Sequence, residues 1–385
     1  MSQLTRDEHL FGPGAKRILA LDGGGIRGIL SIQILRQIET LLRARQPVAA
    51  HADFRLSDYF DLIGGTSTGA IIATGLALGM RVDDLDALYR KLGADVFDQS
   101  LFRKGLMRAK FSKKPLRAAL ASAFGNATLG GPELRTGLAI VTKRIDTGSP
   151  WVLHNNPRGR HYSERDDDGS AANADYLLRD LVRASTAAPH YFDPERVTVA
   201  KGTAGAFVDG GVSPHNNPSL QLLMLASLKG YGLDWPLGAD RLLLVSVGTG
   251  GKSRARDAAK ILRGNPVALA VDALASVMDD AAALNETLLQ WFSQSPTART
   301  IDGEVGDLRA DVFGGSKPWL SYVRYDVELE RRWLAQRLQL TLTDAQLEGI
   351  EKMDEPKHLG RLALIGEAAA KRLLQEPHFP AAFDR

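Results

Sequence analysis

The sequence contains no cysteine, and this absence excludes several kinds of site. A chain without cysteine has no disulfide, no thiolate metal site and no cysteine nucleophile. Aromatic residues make up only 7% of the 385 residues, and the net charge is only +3. So small a positive charge does not indicate a nucleic-acid-binding protein. The fold must therefore be stabilised by packing rather than by cross-links.

Long apolar runs are also missing. The first residues are polar and charged, and they lack the apolar segment of a secretory signal. The longest apolar stretch, residues 70–80, is shorter than the ~20 residues that span a bilayer, and Gly75 and Gly79 interrupt it. We therefore predict a cytoplasmic protein whose contact with a membrane, if it has one, is peripheral.

The apolar residues that are present form short strand patterns alternating with helical ones. A run at 17–21 ends in Asp22 and three glycines, and a helical pattern follows at 29–42. A second run at 58–63 again ends in glycines and leads into a helix at 70–78. Two such strand–helix units indicate a parallel sheet.

This alternation continues to about residue 250, after which the pattern is mainly helical. Further strands are predicted at 137–142, 151–154, 206–208 and 241–247, and further helices at 174–187, 219–229, 255–291, 326–353 and 357–375. Few strand signals follow residue 255. We therefore divide the chain into a polar tail (1–15), a catalytic α/β domain (16–255) and a mainly helical extension packed on it (256–385).

A Gly-x-Ser-x-Gly sequence, GTSTG at 65–69, lies directly between the second strand and its helix. In this setting the serine occupies a sharp turn, and Gly65 and Gly69 let strand and helix approach each other. The following helix directs the positive end of its dipole at the Ser67 hydroxyl, which favours a developing anion there. Ser67 is the candidate nucleophile, and the alternative is a serine that only caps the helix.

Three consecutive glycines, Gly23 to Gly25, follow the first strand. The segment also matches the dinucleotide-binding pattern G-x-G-x-x-G, but Glu39 lies within the first helix instead of ending a second strand. Exposed backbone N–H groups at a helix start are better suited to an oxyanion hole. Arg27 would fix this loop or attract a phosphate head group.

Asp209 ends an apolar strand and precedes Gly210 and Gly211, so we expect its carboxylate at the same sheet edge as Ser67. An ordinary carboxylate is a poor base for a hydroxyl, so this one must be partly desolvated. One alternative is a plain Asp-Gly turn. The other is that His215, just after the turn, is the base of a Ser/His/Asp esterase.

The segments DGGGIRG (22–28), GTSTG (65–69) and DGG (209–211), in this order, resemble the patatin-like phospholipase family. Secondary matches are ASTAAPHYF (184–192), NNP (216–218) and SVGTG (246–250), so the resemblance covers about residues 16–250. It implies a three-layer α/β/α fold with a mostly parallel central sheet and appended C-terminal helices. It also implies a lipid acyl hydrolase with a Ser/Asp dyad, an acyl-enzyme intermediate and no metal or cofactor.

Residue by residue, the resemblance implies a complete site. Ser67 is the nucleophile and Asp209 the proton acceptor. The oxyanion hole consists of Gly23, Gly24 and Gly25, oriented by Arg27, and the remaining motif positions are Asp22, Gly28, Gly65, Gly69, Gly210 and Gly211.

Two further segments suggest ligands. The segment from Arg103 to Arg117 carries seven basic residues and no acid, which predicts peripheral contact with anionic lipid. Residues 246–253 nearly match a phosphate-binding loop, but Ser246 replaces its first glycine. Some bacterial members of the family degrade membranes in antiphage defence when cyclic nucleotides activate them, a role that no feature here selects. We predict a phospholipid or other acyl-lipid substrate and no nucleic-acid partner, and the oligomeric state stays open.

Overall fold

The computed structural model describes residues 4–97, 113–163, 169–189, 191–251, 266–313, 315 and 317–385. Within these residues, nine strands belong to one sheet: β1 (Lys16–Leu21), β2 (Leu62–Thr66), β3 (Gly137–Arg144), β4 (Ser149–His154), β5 (Glu195–Ala200), β6 (Thr203–Asp209), β7 (Leu242–Val247), β8 (Ser293–Gln294) and β9 (Leu320–Tyr325). Their order is β5-β6-β3-β2-β1-β7-β9-β8, and β4 pairs with β3 outside this order.

The helices lie on both faces of the sheet. They are α1 (Arg6–Phe11), α2 (Gly28–Ala44), α3 (Leu56–Tyr59), α4 (Thr68–Ala77), α5 (Val82–Leu92), α6 (Lys113–Phe124), α7 (Leu178–Ser185), α8 (Ser219–Ser227), α9 (Pro266–Phe292), α10 (Arg331–Trp333), α11 (Asp344–Glu351) and α12 (Leu359–Leu373). No helix in the described ranges is both long and apolar enough to cross a membrane.

The central strands are buried on both faces, which explains their unbroken apolar sequences. In β1, Leu19 and Leu21 belong to a larger core shared with α2, α4, α7 and α12, whereas Ile18 and Ala20 belong to a smaller core under α8 and α9. The pairs β1–β2, β2–β3, β1–β7 and β7–β9 are parallel, and β3–β6 and β5–β6 are antiparallel. The predicted three-layer α/β architecture is thus confirmed.

The second strand lies further along the chain than predicted. Residues 56–59 form α3 instead, where the N–H of Arg55 donates to the Asp58 carboxylate at 2.7 Å. β2 begins at Leu62 and continues through two glycines to Thr66. A Cβ on Gly64 would lie 2.5 Å from Leu222, so the glycines that suggested a strand end are instead required inside the strand by close packing.

The C-terminal part contributes more to the sheet than its sequence pattern suggested. β9 lies where few strand signals were expected, and it pairs with β7 from Ser321 to Tyr325. The segment 326–353 was predicted to be helical, but only α10, the π-helical turn Leu334–Leu338 and α11 are helical in it. α12 matches the predicted helix at 357–375 and packs against α2. The described residues between 266 and 385 therefore contain strand, helix and irregular structure.

Candidate active site

Ser67 occupies a sharp turn between β2 and α4, with φ 54° and ψ −122°. A positive φ strains a residue that has a Cβ, by ~1–3 kcal/mol, and such strain is concentrated at functional sites. Two glycines make the turn possible: a Cβ on Gly65 would lie 2.1 Å from the Gly69 carbonyl oxygen, and one on Gly69 would lie 2.2 Å from that of Leu21. The turn is therefore built as its sequence requires.

The hydroxyl of Ser67 donates a hydrogen bond to Oδ2 of Asp209 at 2.5 Å. The other carboxylate oxygen accepts from the Gly211 N–H at 2.7 Å. Asp209 is buried, and burial raises its pKa to about 6, although the bonds from Ser67 and Gly211 and the charge of Arg183 oppose the shift. A carboxylate with this pKa is a better base than an ordinary one and is still ionised at neutral pH.

The two side chains come together across one strand. Asp209 ends β6, which runs antiparallel to β3, and it lies opposite Thr142. Ser67 follows Thr66, the last residue of β2, which pairs in parallel with Val141 of β3. Ser67 and Asp209 therefore approach the same point of β3 from opposite strand directions, an arrangement that the strand-end pattern did not reveal.

The glycine loop lines the same cavity as Ser67. The N–H of Gly23 donates to the Asn216 carbonyl at 3.1 Å and is thus already used. Among the described residues, no acceptor contacts the N–H of Gly24 or Gly25. A Cβ on Gly24 would lie 2.1 Å from Oγ1 of Thr249, and Gly25 has φ 58°. Of the three expected donors, Gly24 and Gly25 remain available to an oxyanion.

Side chains other than that of Arg27 hold this loop. The Thr249 hydroxyl donates to the Gly23 carbonyl at 2.8 Å, and the Tyr89 hydroxyl donates to the Gly25 carbonyl. Arg27 is 8% exposed, and burial lowers its pKa, while Asp326 and other carboxylates oppose that shift. Its Nε and Nη1 have no hydrogen-bond partner within the described ranges. Thr249 was noted in the sequence only within the secondary match at 246–250, and nothing in the local sequence of Tyr89 signals its contact.

The remaining motif positions also surround the site. Gly28 packs against Thr68, Gly210 against the Val141 carbonyl and Gly211 against Asn216, each too closely for a side chain. Asp22 forms an ion pair with Arg324 of β9, a residue that the sequence analysis did not single out.

An apolar cavity of about 250 Å³ opens beside Ser67 and Asp209. Most of its lining surface is apolar, with Ile71, Leu92, Leu116, Tyr191, Phe192 and Met278 among the residues, and Arg27 is one of its few charged groups. An apolar cavity beside a candidate nucleophile suits a hydrocarbon chain better than a polar substrate.

No histidine that the structure describes lines this cavity. His215 contributes its backbone carbonyl, which accepts from the Thr66 hydroxyl at 2.6 Å, and burial lowers the pKa of its imidazole. The described partner of the Ser67 hydroxyl is a carboxylate, which favours Asp209 over His215 as the base.

Two regions singled out in the sequence lie wholly or largely outside the described residues. They are the basic segment from Arg103 to Arg117, of which only 113–117 are described, and Lys252 with Ser253 of the near phosphate-binding match.

Ser185 holds the backbone of the turn. Its hydroxyl accepts from the Ser67 N–H at 2.8 Å and donates to the Val141 carbonyl at 2.6 Å, and the side chain is fully buried. The Ser67 N–H is therefore occupied and does not join the Gly24 and Gly25 donors. In the sequence this residue was noted only within the secondary match at 184–192.

Replacing Ser185 by alanine is expected to lower the free energy of unfolding by ~1–3 kcal/mol, because a buried N–H and a buried C=O each lose their partner. Urea denaturation measures the change. The matched control is Ser227→Ala, whose hydroxyl donates to the Leu223 carbonyl within α8 and should matter by no more than ~0.5 kcal/mol. Equal losses in the two variants would contradict a special role for Ser185.

Residues 19–223, more than half of the chain, match the family model described as patatin-like phospholipase. The chain belongs to the patatin-like phospholipase family. A cGAMP-activated phospholipase of Escherichia coli is 32% identical over 240 residues, which cover 61% of this patatin-like chain and 62% of that protein. A cGAMP-activated phospholipase of Vibrio cholerae is 33% identical over 213 residues, which cover 53% of this chain and 55% of that protein.

Calcium-independent phospholipase A2-gamma of Mus musculus is 33% identical over 252 residues, which cover 61% of this chain and 28% of that protein. The patatin-like chain thus covers less than two thirds of the length of each of these relatives. The family match includes the glycine loop, the Ser67 turn and Asp209, whereas β7, α9 and β9 lie beyond it.

Proposed function

We propose that this chain is a serine lipid acyl hydrolase that cleaves fatty acyl esters through Ser67 and Asp209. The observation that carries the proposal is the 2.5 Å hydrogen bond from the Ser67 hydroxyl to a buried carboxylate, next to an apolar cavity. Membership of the patatin-like phospholipase family supports the same chemistry.

In the first half of the reaction, the acyl chain occupies the apolar cavity and the ester carbonyl lies next to Ser67. Asp209 accepts the hydroxyl proton while Oγ attacks the carbonyl carbon. The negative charge that develops on the carbonyl oxygen is stabilised by the N–H groups of Gly24 and Gly25 and by the positive end of α4, and such a donor contributes ~3–4 kcal/mol. The tetrahedral intermediate collapses, the C–O bond to the alcohol breaks, and Asp209 returns the proton to the leaving alkoxide.

In the second half, water replaces the alcohol. Asp209 takes a proton from the water as its oxygen attacks the acyl-enzyme carbonyl, and the same two N–H groups bind the oxyanion. Collapse of this intermediate releases the fatty acid and returns the proton to Ser67. With a diacyl phospholipid, the products are a lysophospholipid and a fatty acid.

Two finer proposals concern access and control. The basic segment from Arg103 to Arg117 suits contact with an anionic membrane surface, where each cation contributes on the order of 1 kcal/mol. Two relatives carry the name cGAMP-activated phospholipase, which favours activation by a cyclic dinucleotide and hence a membrane-degrading effector role as the second candidate function.

One experiment tests both candidates. Purified wild-type protein and a Ser67→Ala control are incubated with mixed phospholipids and neutral lipids, with and without cGAMP, and the products are identified by mass spectrometry. Fatty acid release by the wild type alone is expected, and an increase with cGAMP would support the second candidate. A folded wild-type protein that releases no fatty acid under either condition contradicts the hydrolase assignment.

The pH dependence should follow Asp209. Because the base accepts a proton only when it is ionised, kcat/KM should fall about tenfold per pH unit as the pH drops below about 6, where burial places the pKa of Asp209. The measurement is a pH profile with an uncharged ester. His215→Asn is the control and should leave this acidic limb in place. If the limb disappears in His215→Asn, a histidine is the base instead.

A further inference from the structure

Arg324 of β9 contacts the residue that begins the glycine loop. Its Nη1 donates to Oδ1 of Asp22 at 2.9 Å and its Nη2 to Oδ2 at 2.6 Å, so the guanidinium binds both carboxylate oxygens. Both side chains are at least nine-tenths buried. A two-pronged contact of this kind fixes orientation as well as distance. Arg324 lies about a hundred residues beyond the end of the family match at 223.

The register of the sheet explains how residues so far apart meet. Ala20 of β1 pairs with Ser246 of β7, which pairs with Arg324 of β9, so the three residues lie in one row across the sheet. Asp22 lies two residues after Ala20 and its carboxylate meets the guanidinium above Ser246. The Ser246 hydroxyl also accepts from Nη1 at 2.7 Å.

The same guanidinium connects to the second loop that touches the glycines. Nη2 of Arg324 donates to Oδ2 of Asp326 at 2.6 Å, and the other oxygen of Asp326 accepts from the Gly250 N–H at 2.9 Å. The neighbouring Thr249 donates to the Gly23 carbonyl at 2.8 Å. The buried guanidinium of Arg324 thus connects the two loops: it binds Asp22 in the loop after β1, and through Asp326 it holds the loop after β7.

We propose that Arg324 is a positioning residue for the oxyanion hole: it holds Asp22, and through Asp22 it sets the direction of the Gly24 and Gly25 N–H groups. The proposal rests on the proposed hydrolase function. The catalytic unit then extends beyond the family match to β9. A further C-terminal contact agrees with this, since the Met353 carbonyl accepts from the Ile26 N–H at 3.0 Å.

The test compares two arginines in buried ion pairs at opposite ends of β1. Arg324→Lys keeps the charge but removes the fork that binds Asp22. Arg17→Lys also keeps the charge, at the amino end of β1, where Nη1 of Arg17 donates to Asp61 at 3.2 Å. Because a misplacement of ~1 Å costs about 10²-fold in rate, Arg324→Lys should lower kcat by about 10- to 100-fold with KM little changed. Arg17→Lys should leave kcat, per serine titrated with a fluorophosphonate, within about twofold of wild type.

A double-mutant cycle separates positioning from general destabilisation. Asp22→Asn should lower kcat about as much as Arg324→Met. The kcat of the double variant should be no lower than that of the less active single variant. Additive effects, or kcat losses that only follow the unfolded fraction in all variants including Arg17→Lys, would overturn the proposal. If Arg324→Met does not fold, the isosteric Asp22→Asn variant carries the test together with Arg324→Lys.

A second readout does not depend on activity. In this loop the N–H groups of Gly23, Ile26 and Arg27 are hydrogen-bonded, so their exchange reports release of the loop. Their amide hydrogen exchange should speed up at least about tenfold in Arg324→Lys and Asp22→Asn, and stay unchanged in Arg17→Lys, because only the first two variants release the loop. If the wild type hydrolyses no ester, the proposed function fails while this exchange pattern still decides the role of Arg324. Unchanged exchange in all three variants contradicts the positioning role even in an active enzyme.

Discussion

Replacing Ser67 by alanine is expected to lower kcat by about 10⁴- to 10⁶-fold, because it removes the atom that forms the acyl-enzyme. The Gly24 and Gly25 donors and the cavity stay in place, so substrate binding should change little. Fatty acid release, followed by mass spectrometry with high enzyme concentrations, measures the loss. A fluorophosphonate should label the wild type and fail to label the variant.

The matched control is a serine that is distant from the cavity. Ser227→Ala removes a hydroxyl from α8 and should leave the hydrolysis rate unchanged. Full activity in folded Ser67→Ala would show that another group attacks the ester.

Replacing Asp209 by asparagine is expected to lower kcat by about 10³- to 10⁴-fold, because an amide keeps the shape of the carboxylate but does not accept the hydroxyl proton. The loss should appear in the rate of fluorophosphonate labelling as well as in turnover. A rate that is nearly unchanged would assign the base to another residue.

The same variant should be more stable than the wild type at neutral pH. The pKa of Asp209 is raised by burial to about 6, so the folded state binds its proton more tightly than the unfolded chain does. The ionised carboxylate therefore destabilises the fold above pH 6, and this penalty disappears as the pH falls towards 4. Asp209→Asn removes the penalty and should raise the free energy of unfolding at pH 8 by ~1–3 kcal/mol, with a smaller difference at pH 4.5.

Asp61 is a control whose ionised carboxylate has the opposite effect on the stability of the fold. Burial alone would raise the pKa of Asp61, but the hydrogen bond with His9 and the charges of Arg385 and Arg17 outweigh it, so the pKa ends below its usual value. Its ionised form therefore stabilises the fold at neutral pH, and this contribution is lost as the pH falls below the ordinary range for aspartate. Asp61→Asn should destabilise the protein at pH 8 and leave kcat per folded molecule unchanged.

The candidate site could be predicted in those parts where the requirement is local. A serine flanked by Gly65 and Gly69 between a strand and a helix needs no distant residue to indicate its turn. The glycines after β1 are recognised in the same way. The Ser185 and Arg324 contacts could not be predicted, since each depends on which strands and helices become neighbours, and β9 itself gave little strand signal.

The sequence also did not predict which backbone groups are already hydrogen-bonded. Gly23 was expected to donate to the oxyanion, but its N–H is taken by the Asn216 carbonyl from a separate loop. The displaced position of β2 has a similar origin, because neighbouring strands and Leu222 keep Gly64 in the sheet where local preference favours a turn. Local sequence identified the residues, and the packing of distant segments decided which of their atoms remained free.

The strand between Ser67 and Asp209 has a practical consequence for altering the proposed activity. Val141 and Thr142 of β3 are both fully buried, and they pair with the ends of β2 and β6. A change of side-chain volume at either position would shift the serine and the aspartate relative to each other without replacing them. Laboratory evolution for faster or slower variants should therefore recover substitutions in β3, a region that mutagenesis aimed only at cavity-lining residues would leave untouched.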